Sequence, residues 1–301
     1  MSPSQPQDGE IRSTGRDPAA LAPALYIVAT PIGNLEDITL RALRVLKQVD
    51  RIACEDTRQT QKLLNHYNIT TRTLSYHEHN EMTRAAELVK DLLEGASVAL
   101  VTDAGMPGIS DPGFRLISLA IERGVPVVPI PGASAFLCAL VASGLPTDAF
   151  RFSGFLPAKR GDRRAALESI KTSPRTQVFY EAPHRIVEAL SDVCEVLGNA
   201  RHVVIAREVT KLHEEFLRGH AGEVLETLRL RDGVKGEITL LIGKPEESEP
   251  QAEAPPRVSV RRRIEQIIDE EKLDEKVALK KVAKERGISK SEAYRELQRS
   301  K

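Results

Sequence analysis

The sequence predicts an α/β protein with two sheet-containing domains and a basic helical tail. Three observations lead there. From Leu25 to Val141, short apolar runs alternate with segments of helical periodicity, which implies crossover connections and a mostly parallel sheet. Gly144 and Pro146 then interrupt that rhythm, and a second series of β-type segments begins, patterned as a mixed sheet flanked by helices. A chain of 301 residues also exceeds one ordinary compact domain. The boundaries that follow are an extension over 1–24, domains over 25–143 and 144–243, a linker over 244–256 and a tail over 257–301.

The first run, Leu25 to Thr30, ends at Pro31 and Gly33, as a buried strand does when it enters a tight turn. Leu40, Leu43, Leu46 and Val49 then recur at helical spacing, with Asp37 or Thr39 available as the cap. The same alternation predicts strands near Ile52, near Leu74, at Val98–Val101 and at Val125–Ile130. Helices are predicted through Lys62–Tyr67, Ala85–Leu93, Leu116–Ile121 and Ala135–Val141. In the second domain the predicted strands lie near 151–154, 177–180, 203–207, 215–218 and 238–242, and the helices near 164–171, 186–196 and 223–230.

Composition narrows the function classes. No apolar run approaches the roughly 18–20 residues that span a bilayer, and the first 24 residues lack the apolar core of a secretory signal. They read as a disordered extension, since Asp8, Glu10 and Asp17 sit poorly in an organelle-targeting peptide. Cys54, Cys138 and Cys194 show no paired spacing and fit a reducing cytoplasm, each as a small core residue. Net charge is zero, yet residues 257–301 hold 14 Lys and Arg against 9 Asp and Glu, after an acidic, proline-rich stretch. Such segregation marks a tethered module with its own partner.

Three turns follow predicted strands: Thr30–Asn34, Asp103–Gly113 and Pro131–Ser134. Ligands of open parallel sheets bind beyond the carboxyl ends of the strands. The first turn is not GxGxxG, so a dinucleotide site gains little from it. The second holds three glycines and two prolines in eleven residues, and Asp103 at its start can accept hydrogen bonds from a ribose or an amino group. Asp103 and Asp111 also suit ordinary turn closure. His77-Glu78-His79-Asn80-Glu81 lacks the remaining ligands of a zinc site, which leaves polar contact or a solvated loop and no metal. Polar clusters at Cys54–Arg58, Tyr180–Arg185 and Arg207–Lys211 each follow a strand, as structural ion pairs or as walls of one polar cleft.

Together, Thr30–Thr39, Cys54–Arg58, His77–Glu81, Thr102–Gly113, Gly154–Lys159, Tyr180–Arg185, Arg207–Lys211 and Gly236–Thr239 resemble the tetrapyrrole methylase-like methyltransferases. Within that family they are most similar to the bacterial enzymes that act on small-subunit ribosomal RNA. The resemblance covers roughly Leu25–Gly243 and implies a two-domain homodimer with S-adenosylmethionine in the cleft between the domains. It also implies 2′-O-methylation of a cytidine in the decoding region of 16S rRNA, free or within the small ribosomal subunit. By position it assigns the cofactor to Pro31, Ile32 and Gly33, to Asp103, Gly105 and Met106, and to Ser134 and Ala135. Ala133 stands where the family commonly has proline.

A ribose hydroxyl must lose its proton as it attacks, and a carboxylate or imidazole can take it. Glu55, Asp56, Glu181, His184 and Glu208 are the candidates, with Glu208 or His184 as base and Arg58, Arg185, Arg207 and Lys211 to hold phosphate. In the tail, Val277–Lys284 and Ser291–Leu297 read as two helices around Gly287-Ile288-Ser289, a helix-turn-helix layout. Arg261–Arg263, Lys280, Lys281, Lys284 and Lys290 would make its RNA-backbone footprint. A same-fold enzyme acting on a tetrapyrrole or a protein, and a non-catalytic RNA-binding assembly protein, are the competing readings. The basic tail weighs against the first.

Overall fold

The computed structural model describes residues 21–245, 260–271, 273–286 and 289–299. The expected extension, apart from 21–24, and nearly all of the expected linker lie outside the described residues. The chain divides into two compact units, one ending at Lys244 and one beginning at Pro245. Among the described residues no helix is long and apolar enough to cross a membrane.

The first unit opens with a wholly parallel sheet. Strands β1 (Leu25–Val28), β2 (Arg51–Cys54), β3 (Thr73–Ser75), β4 (Val98–Leu100) and β5 (Val127–Ile130) lie in the order β3-β2-β4-β1-β5. Strand side chains alternate between faces, and here helices cover both faces, so the strands read as continuous apolar runs. Tyr26, Val28, Ile52 and Cys54 pack with Ala42, Val45, Leu46 and Leu64 of α1 (Leu40–Gln48) and α2 (Thr57–His66). Leu25, Ile27, Ala53 and Leu100 face the other way, onto α3 (Glu81–Leu93) and α4 (Phe114–Glu122). Thr39 caps α1 by accepting from the Ala42 N–H at 3.0 Å, and Asp56 caps α2 through the Arg58 N–H at 2.8 Å.

The second sheet of this unit is mixed. Its strands are β6 (Phe150–Phe155), β7 (Thr176–Glu181), β8 (His202–Arg207), β9 (Glu215–His220) and β10 (Ile238–Ile242), in the order β6-β7-β10-β8-β9. Only β6 and β7 run parallel. One face packs on α6 (Arg160–Ile170), α7 (Ile186–Leu197) and α8 (Ala221–Arg229). Between α6 and α7, Arg163 is buried against Asp192, which accepts from its Nε at 2.7 Å and from Arg160 Nε at 3.0 Å.

The other face of this second sheet is covered by α5 (Ala135–Ser143), a helix without a charged residue. Ala139 and Leu140 of α5 pack with Val178, Val204, Ala206 and Leu241, and Ile32 of the first turn joins the same cluster. The chain leaves the first sheet at β5 and at once builds the layer that covers the second. For that reason the two sheets form one compact unit.

Among the described residues the second unit holds three helices, where the sequence pattern predicts two: α9 (Val260–Glu271), α10 (Glu275–Arg286) and α11 (Lys290–Arg299). Ile264 and Ile267 of α9 complete a core with Leu279, Val282, Ala293 and Leu297, so the tail has a hydrophobic centre of its own. Ser289 and Glu292 form a reciprocal cap: the Ser289 hydroxyl accepts from the Glu292 N–H at 3.2 Å, and Glu292 accepts from the Ser289 N–H at 2.9 Å. Gly287 and Ile288 of the expected turn lie outside the described residues.

Candidate active site

Because β4, β1 and β5 are neighbours, the turns after them lie side by side along one edge of the sheet. The first two are tied together. The Thr30 N–H donates to the Gly105 carbonyl at 2.9 Å, the Gly105 N–H donates to the Thr30 carbonyl at 3.1 Å, and the Thr30 hydroxyl donates to the Thr102 carbonyl at 3.0 Å. Gly105 has φ +87°, where a side chain would be strained. The third turn approaches the first just as closely, since a Cβ on Gly132 would lie 2.8 Å from the Ala29 Cβ.

These turns form one wall of a cleft of about 380 Å³ whose other wall is the second sheet. Ile32, Gly105, Met106, Ser134 and Ala135 line the first wall, and Tyr180, Glu181, Ala206, Val209 and Thr239 line the second. Of the eight residues expected to hold the cofactor, these five open on the cleft. Pro31, Gly33 and Asp103 do not line it. Gly33 makes room for the Lys211 side chain, whose Cγ would be 2.3 Å from a Cβ there. The Asp103 carboxyl accepts from the Asp56 N–H at 3.3 Å and is raised above the usual carboxylate range by burial and by the nearby Asp56 charge.

The residues expected to carry the chemistry are spread more widely. Glu181 lines the cleft and is buried. Its Oε1 accepts from the Ala182 N–H at 2.8 Å and from the Arg185 guanidinium, while the buried Oε2 has no hydrogen-bond partner. His184 is exposed and does not line the cleft. Glu208 stands at φ +52°, gripped by Lys211 Nζ and the Glu237 N–H, both at 2.9 Å. Burial pushes its carboxyl up, but these partners and the Arg207 charge hold it below the usual range. Asp56 is half-buried, does not line the cleft and serves as the α2 cap.

The four basic residues expected to grip phosphate all have carboxylate partners. Arg58 pairs with Asp56 at 3.0 Å, Arg185 with Glu181, Arg207 with Glu215 at 3.0 Å, and Lys211 with Glu208 and Glu237. Only Arg58 is largely exposed, and it edges a polar depression with Lys62 and Gln61. Such a group can still meet an anion, because an exposed pair contributes little and breaks readily.

Three cleft residues carry chemistry that sequence reasoning passed over or treated as turn closure. Asp111 lines the cleft, and burial together with the Glu55 charge pushes its carboxyl up to about 6. Tyr180, stacked edge-on to Phe152 with centroids 5.0 Å apart, has its phenol pushed up to about 12 by burial. Thr239 is a buried polar side chain in the central strand β10. The signal for the last was the Gly236–Thr239 motif, quoted for its resemblance but given no role. The arrangement is a largely apolar chamber with three carboxylates, Asp111, Glu181 and Glu237, in its wall and a floor fixed by backbone bonds, which suits a ligand with an apolar body and a positive charge.

Residues 24–225 match the family model described as tetrapyrrole (corrin/porphyrin) methylases. A protein of Halalkalibacterium halodurans called ribosomal RNA small subunit methyltransferase I is 51% identical over 271 residues, covering 90% of this chain and 93% of its own length. One of the same name from Vibrio cholerae is 54% identical over 222 residues, covering 73% of this chain and 77% of its own. The solved structure of a diphthine synthase superposes with a TM-score of 0.55 at 14% identity, covering 73% of this chain and 89% of that one, and so shares the fold. By sequence and by fold alike, the chain belongs to the tetrapyrrole methylase family.

Proposed function

We propose that this protein transfers a methyl group from S-adenosylmethionine to the ribose 2′-hydroxyl of a cytidine in the decoding region of 16S rRNA, in the cytoplasm. The observation that carries the reading is 51% identity, along 90% of the chain, to a relative named for methylating small-subunit ribosomal RNA. The cleft fits the cofactor. It offers apolar contact at Ile32, Met106, Ala135 and Val209, and a buried carboxylate oxygen of Glu181 without a partner. Bound there, S-adenosylmethionine supplies a methyl group on a positively charged sulfur.

Ile32, Gly105, Met106, Ser134 and Ala135 hold the cofactor in this reading, while Pro31, Gly33 and Asp103, which do not line the cleft, shape the turns that carry them. The bridge between Thr30 and Gly105 keeps the floor in place before any ligand arrives, so binding is not spent on ordering it. Of Asp56, Glu181, His184 and Glu208, Glu181 is the one that lines the cleft, and its free Oε2 is the atom to which we assign the hydroxyl proton. Arg185 and the Ala182 N–H hold the other oxygen and fix the carboxylate plane. Glu208 acts through position, keeping Lys211 and the Gly236–Glu237 turn in place.

RNA is held by Arg58 and Lys62 beside the first sheet and by the tail, where Lys280, Lys281 and Lys284 are exposed. Contacts of this kind weaken as salt rises. A homodimer completes the proposal, and light scattering of the full chain tests it. The functional experiment is to map ribose methyls on 16S rRNA from cells with and without the protein. Loss of one cytidine 2′-O-methyl is expected, and an unchanged methylation map refutes the reading.

A further inference from the structure

The carboxylates around the cleft fall into two kinds. Glu181, Glu208 and Glu215 each pair with an arginine or lysine. Glu55, Asp103 and Asp111, at the ends of β2 and β4 and in the loop that follows, make no ion pair within 4.0 Å among the described residues. Thr102 stands between two of them: its hydroxyl donates to Glu55 Oε2 at 3.1 Å and is also within reach of Asp111. One hydroxyl proton cannot serve both acids. Of the three carboxylates, Asp111 is the one that lines the cleft.

We propose that Asp111 selects the cleft's ligand by charge, favouring a cationic methyl donor over the neutral thioether that remains once the methyl has gone. This rests on the proposed use of S-adenosylmethionine. A carboxylate in a partly desolvated wall, crowded by like charges and in no ion pair among the described residues, is stabilised by any positive ligand placed in the same chamber. Loss of the methyl group removes that positive charge, and the like-charge crowding returns. The wall therefore holds the donor and loosens the product.

A proton linkage follows. The titratable groups facing Asp111 are Glu55 and Asp103 from the parallel sheet and Tyr180 from β7. Glu181 and Glu237 stand elsewhere around the chamber, and Glu78, Glu81 and Arg115, the last paired with Glu81 at 2.6 Å, line a neighbouring depression that Asp111 also borders. With its carboxyl raised to about 6, Asp111 is partly protonated at that pH. A bound cation favours the ionised form, so donor binding near pH 6 releases protons, and donor affinity rises as pH increases through that value. A neutral ligand does neither.

The test is titration calorimetry of the full chain without RNA, using S-adenosylmethionine and S-adenosylhomocysteine in buffers of different ionisation heat, from pH 5.5 to 7.5. Wild type should release about half a proton near pH 6 with the sulfonium and close to none with the thioether. In Asp111→Asn the release should vanish and the affinity ratio should shift about tenfold toward the thioether, while Asp111→Glu should keep the preference for the cation. Equal proton release with both ligands, or an unchanged ratio in Asp111→Asn, overturns the proposal. Failure of wild type to bind either ligand overturns the cofactor reading, and this proposal with it.

Discussion

Replacing Arg185 with methionine tests whether the Glu181–Arg185 pair is part of the cleft's architecture or a free grip for substrate. The Glu181 side chain is fully buried and that of Arg185 is 20% exposed. One carboxylate oxygen takes both the guanidinium and the Ala182 N–H, and the other has nothing. Methionine preserves much of the packing of the arginine stem but leaves a buried carboxylate with a single backbone donor. Breaking a buried pair from one side costs about 3–5 kcal/mol, and the residual exposure of Arg185 favours the lower end, about 3 kcal/mol. In a unit of this size each kcal/mol lowers the melting temperature by about 2–4 °C, so a fall of about 6–12 °C is expected by calorimetry. Adding Glu181→Gln should recover about 2 kcal/mol or more, because the double variant buries no unpaired charge. A single variant that melts within 2 °C of wild type, or strictly additive effects in the double, would refute the reasoning.

Gly236→Ala should destabilise by about 1–3 kcal/mol, read by urea unfolding, because φ is +95° there and a Cβ would lie 2.6 Å from the Glu208 carboxylate that Lys211 and Glu237 hold. Glu215 is held down to about 2, chiefly by its Arg231 bonds, with burial opposing and Arg207 assisting. A depressed folded pKa stabilises above the unfolded value and is lost as pH falls toward the folded one. Glu215→Gln should therefore narrow its stability gap to wild type between pH 5 and 2. Cys54 is fully buried with its thiol pushed up to about 11 by burial, so iodoacetamide at pH 8 should modify it only in denaturant. Mass spectrometry of peptides alkylated under native conditions checks this.

Much of the fold could be read from residue pattern, because both faces of the first sheet are covered and its strands are continuous apolar runs bounded by Gly and Pro. Helix α9 was missed for a physical reason. In sequence Arg261–Arg263 and Asp269–Glu271 read as charge runs, whereas Ile264, Ile267 and Ile268 carry the helical spacing. The pattern placed three turns after strands, and the cleft edges at Ile32, Met106 and Ser134, residues that the family resemblance singled out, lie in those turns. What pattern could not decide was the direction of polar side chains at strand ends. Glu181 closes β7 and Glu208 follows β8, yet one lines the cleft and the other does not and is held by Lys211. That difference depends on a backbone with positive φ at Glu208 and on a partner residue, Glu237, 29 positions away. Asp111 was hidden likewise, since a turn-closing aspartate and a cleft carboxylate look alike in one dimension.

Helix α5 gives the molecule a mechanical property. Its first residues, Ser134 and Ala135, form an edge of the cleft, while its body is held by the second sheet. A rotation of one sheet against the other cannot bypass this helix: it would drag the third edge away from the first two, which the bridge between Thr30 and Gly105 locks together. The cleft would therefore widen or narrow at a single border. A ligand that touches both Ser134 and Gly105 would act as a clasp across it, with its occupancy felt along the whole of α5 and in the strands beneath.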